Sequence, residues 1–191
     1  MFISKNNYYL YIENTKTLNL SLIKKRNKFV IIYRNNNNSE NIDQLKRFRN
    51  ECKKRSIEFY IANNLHIAIK CKADGLYISS YNKKHYNVPF LGNPLKIIGS
   101  AHNRKEIYEK KNQGCKTIVL SRLFKTDYPN KHTYLGVVKF NLAKENCKED
   151  LVPLGGIKNK NLNSLRLVKA NSFAILSEIK KKPAKIISRL F

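Results

Sequence analysis

Between Leu151 and Ser177 the sequence spells out one complete strand–helix–strand unit. Leu151-Val152-Pro153-Leu154-Gly155-Gly156-Ile157 and Ser172-Phe173-Ala174-Ile175-Leu176-Ser177 are short apolar runs, each ending in small residues ahead of a helical pattern. The segment between them, Asn161 to about Asn171, repeats Leu162, Leu165 and Val168 every three residues and reads as a helix. Such a unit lays its strands parallel, because parallel neighbours need a crossover and the crossover is usually a helix. Gly155 and Gly156 then expose bare backbone N–H groups, and Ser177 stands at the start of the last helical pattern. Two N–H-rich turns side by side at helix N-termini hold a phosphate without any cationic side chain. A phosphate site after strands seven and eight recurs in eight-stranded βα barrels.

The rest of the chain alternates in the same way. Strands are expected at Tyr8–Ile12, Lys28–Arg34, Ile57–Ile61, Gly75–Ile78, Leu95–Ala101 and Thr117–Leu123. The run Phe29-Val30-Ile31-Ile32 is continuously apolar, as in a sheet covered on both faces. Helices are expected weakly over Leu18–Lys25, from Ser39 to about Lys54, briefly from Leu65, from an Asn103 cap to Gly114, and over Val137 to about Glu145. A basic helical pattern, Ile179–Phe191, closes the chain, and Ser79–Pro94 reads as a loop. Eight strands alternating with helices argue for an all-parallel α/β fold, a (β/α)8 barrel before an open sheet. A single domain of 191 residues is short for such a barrel, for which about 250 is typical. Some outer helices must therefore be shortened or missing.

The formal charge of +25 suggests an anionic partner. The basic residues are spread along the chain rather than gathered into a stripe. Lys, Asn and Ile crowd the sequence, with Asn35–Asn38 a run of four, which favours compositional bias as the source of the charge. No aromatic–basic motif of an RNA-binding sheet and no zinc-finger spacing occurs, so nucleic acid is supported by net charge alone. Cys52, Cys71, Cys115 and Cys147 form no Cys-x-x-Cys pair and suit a reduced compartment. The start Met1-Phe2-Ile3-Ser4-Lys5 lacks the apolar core of a signal peptide, and no run approaches the roughly 18 apolar residues of a membrane span. A soluble, cytoplasmic protein is expected.

The order of motifs resembles the thiamine phosphate synthase and TenI family, over roughly residues 28 to 180. The matching pieces are Ile31-Ile32-Tyr33-Arg34, Ile61-Ala62-Asn63-Asn64, Ala73-Asp74-Gly75-Leu76-Tyr77-Ile78 and Ile98-Gly99-Ser100-Ala101-His102. Phe124-Lys125-Thr126, Pro153-Leu154-Gly155-Gly156-Ile157 and Ala174-Ile175-Leu176-Ser177 follow in the same order. The resemblance implies a barrel that joins a hydroxymethylpyrimidine pyrophosphate to a thiazole phosphate with release of pyrophosphate, aided by Mg²⁺. It implies phosphate contacts at Gly155, Gly156, Leu176 and Ser177, and substrate contacts at Asn63, Ser100 and Thr126.

The chain departs from the family pattern at the metal end. Arg34 keeps an arginine of the family's Gln-x-Arg-x-Lys run, but Ile32 and Asn36 replace its neighbours. Asn63 and Asn82 stand where the family has carboxylate metal ligands, and amides are weaker Mg²⁺ ligands. Arg34, Arg122 and Lys131 are the candidates to take over the catalytic charge, with Lys125 beside them. Arg122 aligns with the histidine base of the TenI branch and cannot act as an ordinary base. Two further functions stay open: a non-catalytic, TenI-like binder or sensor of a phosphorylated thiazole or thiamine ligand, and a nucleic-acid binder. Simpler roles also stay open, with Gly155-Gly156 as a tight turn, Ser177 and His102 as caps, and Arg34 in a rim ion pair. Asp74 and His66 read as structural.

Overall fold

The computed structural model describes residues 7–23, 28–35, 40–87, 95–126, 133–158, 161 and 163–175 of the chain. Eight parallel strands close into a barrel in sequence order. They are β1 (Asn7–Ile12), β2 (Phe29–Tyr33), β3 (Glu58–Ala62), β4 (Gly75–Ile78), β5 (Lys96–Ala101), β6 (Thr117–Ser121), β7 (Asp150–Leu154) and β8 (Ser172–Ile175). Closure is made by β1 against β8, with Tyr9 opposite Ala174 and Leu10 opposite Ile175.

Alternation along the strands sorts side chains into two cores. Leu10, Ile31, Phe59, Leu76, Ile118 and Phe173 point outward into one cluster with helix residues such as Leu45, Phe48 and Phe140. Tyr9, Tyr11, Val30, Ile32, Tyr60, Tyr77, Ile98, Val119, Val152 and Ala174 fill the barrel interior. The interior holds four tyrosines, and one glycine makes room for them. A Cβ on Gly75 would lie 2.2 Å from Cε1 of Tyr60 and 2.3 Å from the carbonyl oxygen of Lys96.

The helices are α1 (Ile42–Lys54), α2 (Leu65–Lys70), α3 (Arg104–Asn112) and α4 (Gly136–Glu145). An Asn41–Gln44 capping box starts α1, two residues after the expected Ser39. Asn103 caps α3 through its side-chain oxygen, and Gly114 at φ +79° follows its end, as the sequence suggests. None of the described helices is long and apolar enough to cross a membrane.

Two expected α-helices are instead 3-10 turns. Over Leu18–Lys25 the described chain forms turns at Thr15–Thr17 and Leu20–Leu22. Asn14 and Asn19 accept from the backbone N–H groups of Lys16 and Ser21, a local bond that competes with helix propagation. Within Asn161–Asn171 the structure holds a 3-10 turn at Asn163–Leu167. Asn161 is spent on the preceding loop: its Oδ1 accepts from Lys158 N at 2.8 Å and its Nδ2 donates to Gly156 O at 2.7 Å. Leu165 and Val168 are nevertheless buried, so the apolar repeat packs without the α-helix. Residues 79–87, after β4, also carry no helix. The barrel is therefore compact because its crossovers are trimmed, as its length requires. The helical pattern at Ile179–Phe191 lies outside the described residues.

Asp74 has the structural role expected of it. Its Oδ2 accepts from Phe59 N at 2.8 Å and its Oδ1 from Nη2 of the buried Arg49 at 2.8 Å. Arg49 also donates through Nε to Lys72 O at 2.9 Å. One carboxylate thereby locks β3, the start of β4 and α1 together.

Candidate functional site

The carboxyl ends of the strands form the barrel mouth, and the sequence candidates gather there in three groups. The first lies at the ends of β6 and β7. Gly155 and Gly156 take φ +100° and +67°, a region in which side chains are strained. Leu123 N donates to Leu154 O at 2.8 Å and Phe124 N to Gly155 O at 3.0 Å, so the two loops run against each other. A Cβ on Gly156 would meet the carbonyl oxygens of Phe124 and Lys125 at 2.5 Å. A Cβ on Gly155 would meet Cγ of Arg122 at 3.1 Å. Arg122 lies across Gly155, and its guanidinium Nη2 reaches Thr133 Oγ1 at 3.5 Å. Thr126 follows, and its Oγ1 is buried without a hydrogen-bond partner among the described residues. A buried hydroxyl without a partner costs about 1–3 kcal/mol unless something supplies the bond. Gly155, Gly156, Arg122 and Thr126 thus form one cluster. The α-helix N-terminus expected just beyond Gly156 is absent from the described residues, so backbone N–H groups and side chains must carry any anion there.

The second group is the floor. The hydroxyl of Tyr11 donates to that of Tyr77 at 3.1 Å, with the rings edge-on at 5.5 Å. Burial pushes both hydroxyls above the usual tyrosine range, and the nearby Arg34 guanidinium opposes the shift in each. Ser100, also buried, hydrogen-bonds Tyr77. Arg34 is fixed at the end of β2 by its backbone N–H on Ile12 O at 2.8 Å. Arg34 therefore belongs to the mouth, above a neutral polar floor, while the Ser100 hydroxyl is spent on that floor.

The third group lies at the ends of β3 and β4. Asn63, at φ +58°, accepts at Oδ1 from Ser79 N at 2.9 Å and from Asn82 Nδ2 at 3.1 Å. Its Nδ2 donates to Ser79 Oγ at 2.8 Å and Tyr81 Oη at 3.0 Å. Asn82 donates to Tyr86 Oη at 2.7 Å and accepts from Lys84 N at 2.9 Å. Tyr86 returns its proton to Asn63 O at 2.9 Å. Backbone N–H groups can only donate, so the bonds from Ser79 N and Lys84 N fix which amide atom is oxygen. Both lone pairs of Asn63 Oδ1 are in use.

These residues do not fit Mg²⁺. That ion takes six oxygens in near-ideal octahedral geometry, with one or two carboxylates among the protein ligands. Here the two amides are bonded to each other, and no group of three or more His, Cys, Asp or Glu among the described residues could hold a metal.

Lys131, Leu176 and Ser177 lie outside the described residues. His102 is engaged by its own helix: its N donates to Glu106 Oε2 at 2.7 Å and its Nδ1 lies 2.9 Å from the same oxygen. Motif reading missed Tyr11, Tyr77, Ser79 and Tyr86. The period-two tyrosines Tyr9 and Tyr11 were the available signal, since in an all-parallel barrel alternate residues face inward.

Comparison with known proteins gives the family of the chain. The chain is 29% identical over 181 residues to a thiamine-phosphate synthase of Prochlorococcus marinus subsp. pastoris, covering 92% of this chain and 51% of that protein. It is 24% identical over 175 residues to the thiamine-phosphate synthase of Clostridioides difficile, covering 91% of this chain and 80% of that one. The chain spans about half the length of the first curated relatives it matches. Among solved structures, a thiamine phosphate pyrophosphorylase from Pyrococcus furiosus superposes with a TM-score of 0.69 at 16% identity, covering 96% of this chain and 98% of that one. At that identity the likeness concerns the fold. The family assignment rests on the match of residues 3–179 to the thiamine monophosphate synthase family, and the chain belongs to that family.

Proposed function

We propose that this protein catalyses the thiamine phosphate synthase reaction in the barrel mouth, as a cytoplasmic transferase acting on phosphorylated small molecules. The thiazole nitrogen lone pair forms a C–N bond to the pyrimidine methylene carbon. The C–O bond to pyrophosphate breaks, and its electron pair leaves on the pyrophosphate oxygen. Atoms and charge balance without a proton acceptor, so the lack of a general base at Arg122 is no obstacle. The demands are to hold two anions close together and to stabilise a departing one.

The observation that carries this reading is the close-packed Gly155–Gly156 loop beside Arg122 and the unpartnered Thr126 Oγ1, in a barrel of this family. Backbone N–H groups of that loop and the Thr126 hydroxyl would take the thiazole phosphate, with Leu176 and Ser177 completing the contacts. Arg34 would meet the pyrophosphate over the Tyr11–Tyr77 floor, with Arg122 and Lys131 as further cations. No step runs through Mg²⁺.

Pyrophosphate release by purified protein tests the reading, with each substrate alone and with both together. Release that requires both substrates and falls at least tenfold in Arg34→Ala is the expected result. A second reading, a binder without turnover, is favoured by the amide pair at positions 63 and 82. It would be adopted if thiazole phosphate raises the melting temperature while no pyrophosphate appears.

A further inference from the structure

The amide pair has a charge balance of its own. Two carboxylates with one divalent cation sum to zero, and so do two amides with none. The net charge at this corner of the mouth is the same, yet no ionic bond is left for a phosphate oxygen to make. The oxygens that a cation would need are already engaged: Asn63 Oδ1 takes both Ser79 N and Asn82 Nδ2, and Asn82 Oδ1 takes Lys84 N. Tyr86 closes the ring by joining Asn82 Nδ2 to Asn63 O. Behind it, the fully buried Lys110 donates through Nζ to Asn82 O at 2.6 Å, and Gln113 Nε2 donates to the same oxygen at 3.1 Å. The pair is thus anchored from within the protein, with no ligand needed to hold it.

We propose that the place of the family's divalent cation is, in this protein, a metal-free amide clasp joining the β3 and β4 loops, so that the mouth holds no metal there. The proposal rests on the anion-binding mouth of the preceding section but not on turnover. Opening the clasp to a cation requires carboxylates back at both positions. Asparagine and aspartate are both tolerated on a left-handed backbone such as that of residue 63, so Asn63→Asp needs no change of loop shape.

The experiment is Mn²⁺ binding followed by electron paramagnetic resonance, with and without inorganic pyrophosphate, on wild type and on Asn63→Asp/Asn82→Asp. The double variant is expected to gain a saturable Mn²⁺ site at least tenfold tighter than anything on the wild type. Equal binding by the two proteins, strong or absent, would overturn the proposal. Circular dichroism checks the fold. If the double variant fails to fold, the wild type decides alone: a saturable Mn²⁺ site that pyrophosphate strengthens overturns the proposal, and its absence supports it. The readout involves no catalysis, so a protein that never releases pyrophosphate would sink the functional reading and leave this result intact.

Discussion

The ammonium of Lys110 lies 2.6 Å from the backbone carbonyl of Asn82 and 2.7 Å from Oε1 of Gln113, fully buried and bonded there to neutral oxygens. Burial lowers its pKa, because the charged form loses water. The contact holds the segment after β4, whose described residues 79–87 form no helix to brace it. Lys110→Met fills the same space but leaves Gln113 Oε1 without this donor, at a cost of about 1–3 kcal/mol. Urea denaturation measures that loss. Faster tryptic cleavage at the exposed Lys83 and Lys84 would show that the loop itself is released.

Asp74 and Arg49 predict a larger effect. Asp74→Ala strips the partner from a buried guanidinium and from Phe59 N together. The expected loss is about 2–4 kcal/mol, since breaking a buried pair strands the remaining charge. An unchanged denaturation midpoint would contradict the locking role given to this carboxylate.

Gly156 offers a test specific to the proposed anion site. Gly156→Ala must hold a side chain at φ +67° while its methyl collides with the carbonyl oxygens of Phe124 and Lys125. Left-handed strain and overpacking together cost about 2–4 kcal/mol. The same variant should abolish any melting-temperature rise that thiazole phosphate produces in the wild type. Gly155→Ala faces mainly the movable Arg122 side chain and should be the milder change.

Alkaline pH should unfold the barrel from inside. Burial first, then the Asp150 and Glu58 charges, push Tyr9 up to about 12, and burial also raises Tyr11, Tyr60 and Tyr77. In the unfolded chain these groups ionise near the ordinary value of about 10, whereas the native protein keeps their protons longer. The native state then binds more protons, so the stability is complete below about pH 10 and is lost as pH rises toward 12 and beyond. Each such group removes about 1.4 kcal/mol per pH unit in that window. The share of tyrosinate absorbance that a Tyr9→Phe variant loses should therefore appear together with loss of the circular dichroism signal. If that share appeared well before unfolding, it would contradict the closed interior.

The barrel was legible from alternation alone. Phe29–Tyr33 and Gly75–Ile78 read as strands because apolar runs bounded by polar residues have few other uses, and both are strands. The Asn103 cap and Gly114 likewise marked α3. The Asn14, Asn19 and Asn161 regions misled, since a side chain bonding its own backbone ends a helix in ways periodicity does not register. In the site, motif order placed Phe124-Lys125-Thr126 after β6 and Gly155-Gly156 after β7, while the packing of one loop against the other is a finding of the structure. That Asn63 and Asn82 bond each other did not: a substitution table reports two lost charges, while their mutual geometry depends on a left-handed turn and on Tyr86. Nor could the sequence distinguish Ser100 as part of a floor, since its partner Tyr77 arrives from a neighbouring strand.

The Tyr11–Tyr77 pair also gives the protein an optical signal of its own. The chain has eleven tyrosines and no tryptophan, so no indole emission masks phenol fluorescence. Two of those phenols are joined at the bottom of the mouth beside Arg34, where an arriving anion would alter their surroundings. Occupancy of the barrel can be followed in the unlabelled protein, with Tyr77→Phe separating the light of the floor from that of the surface.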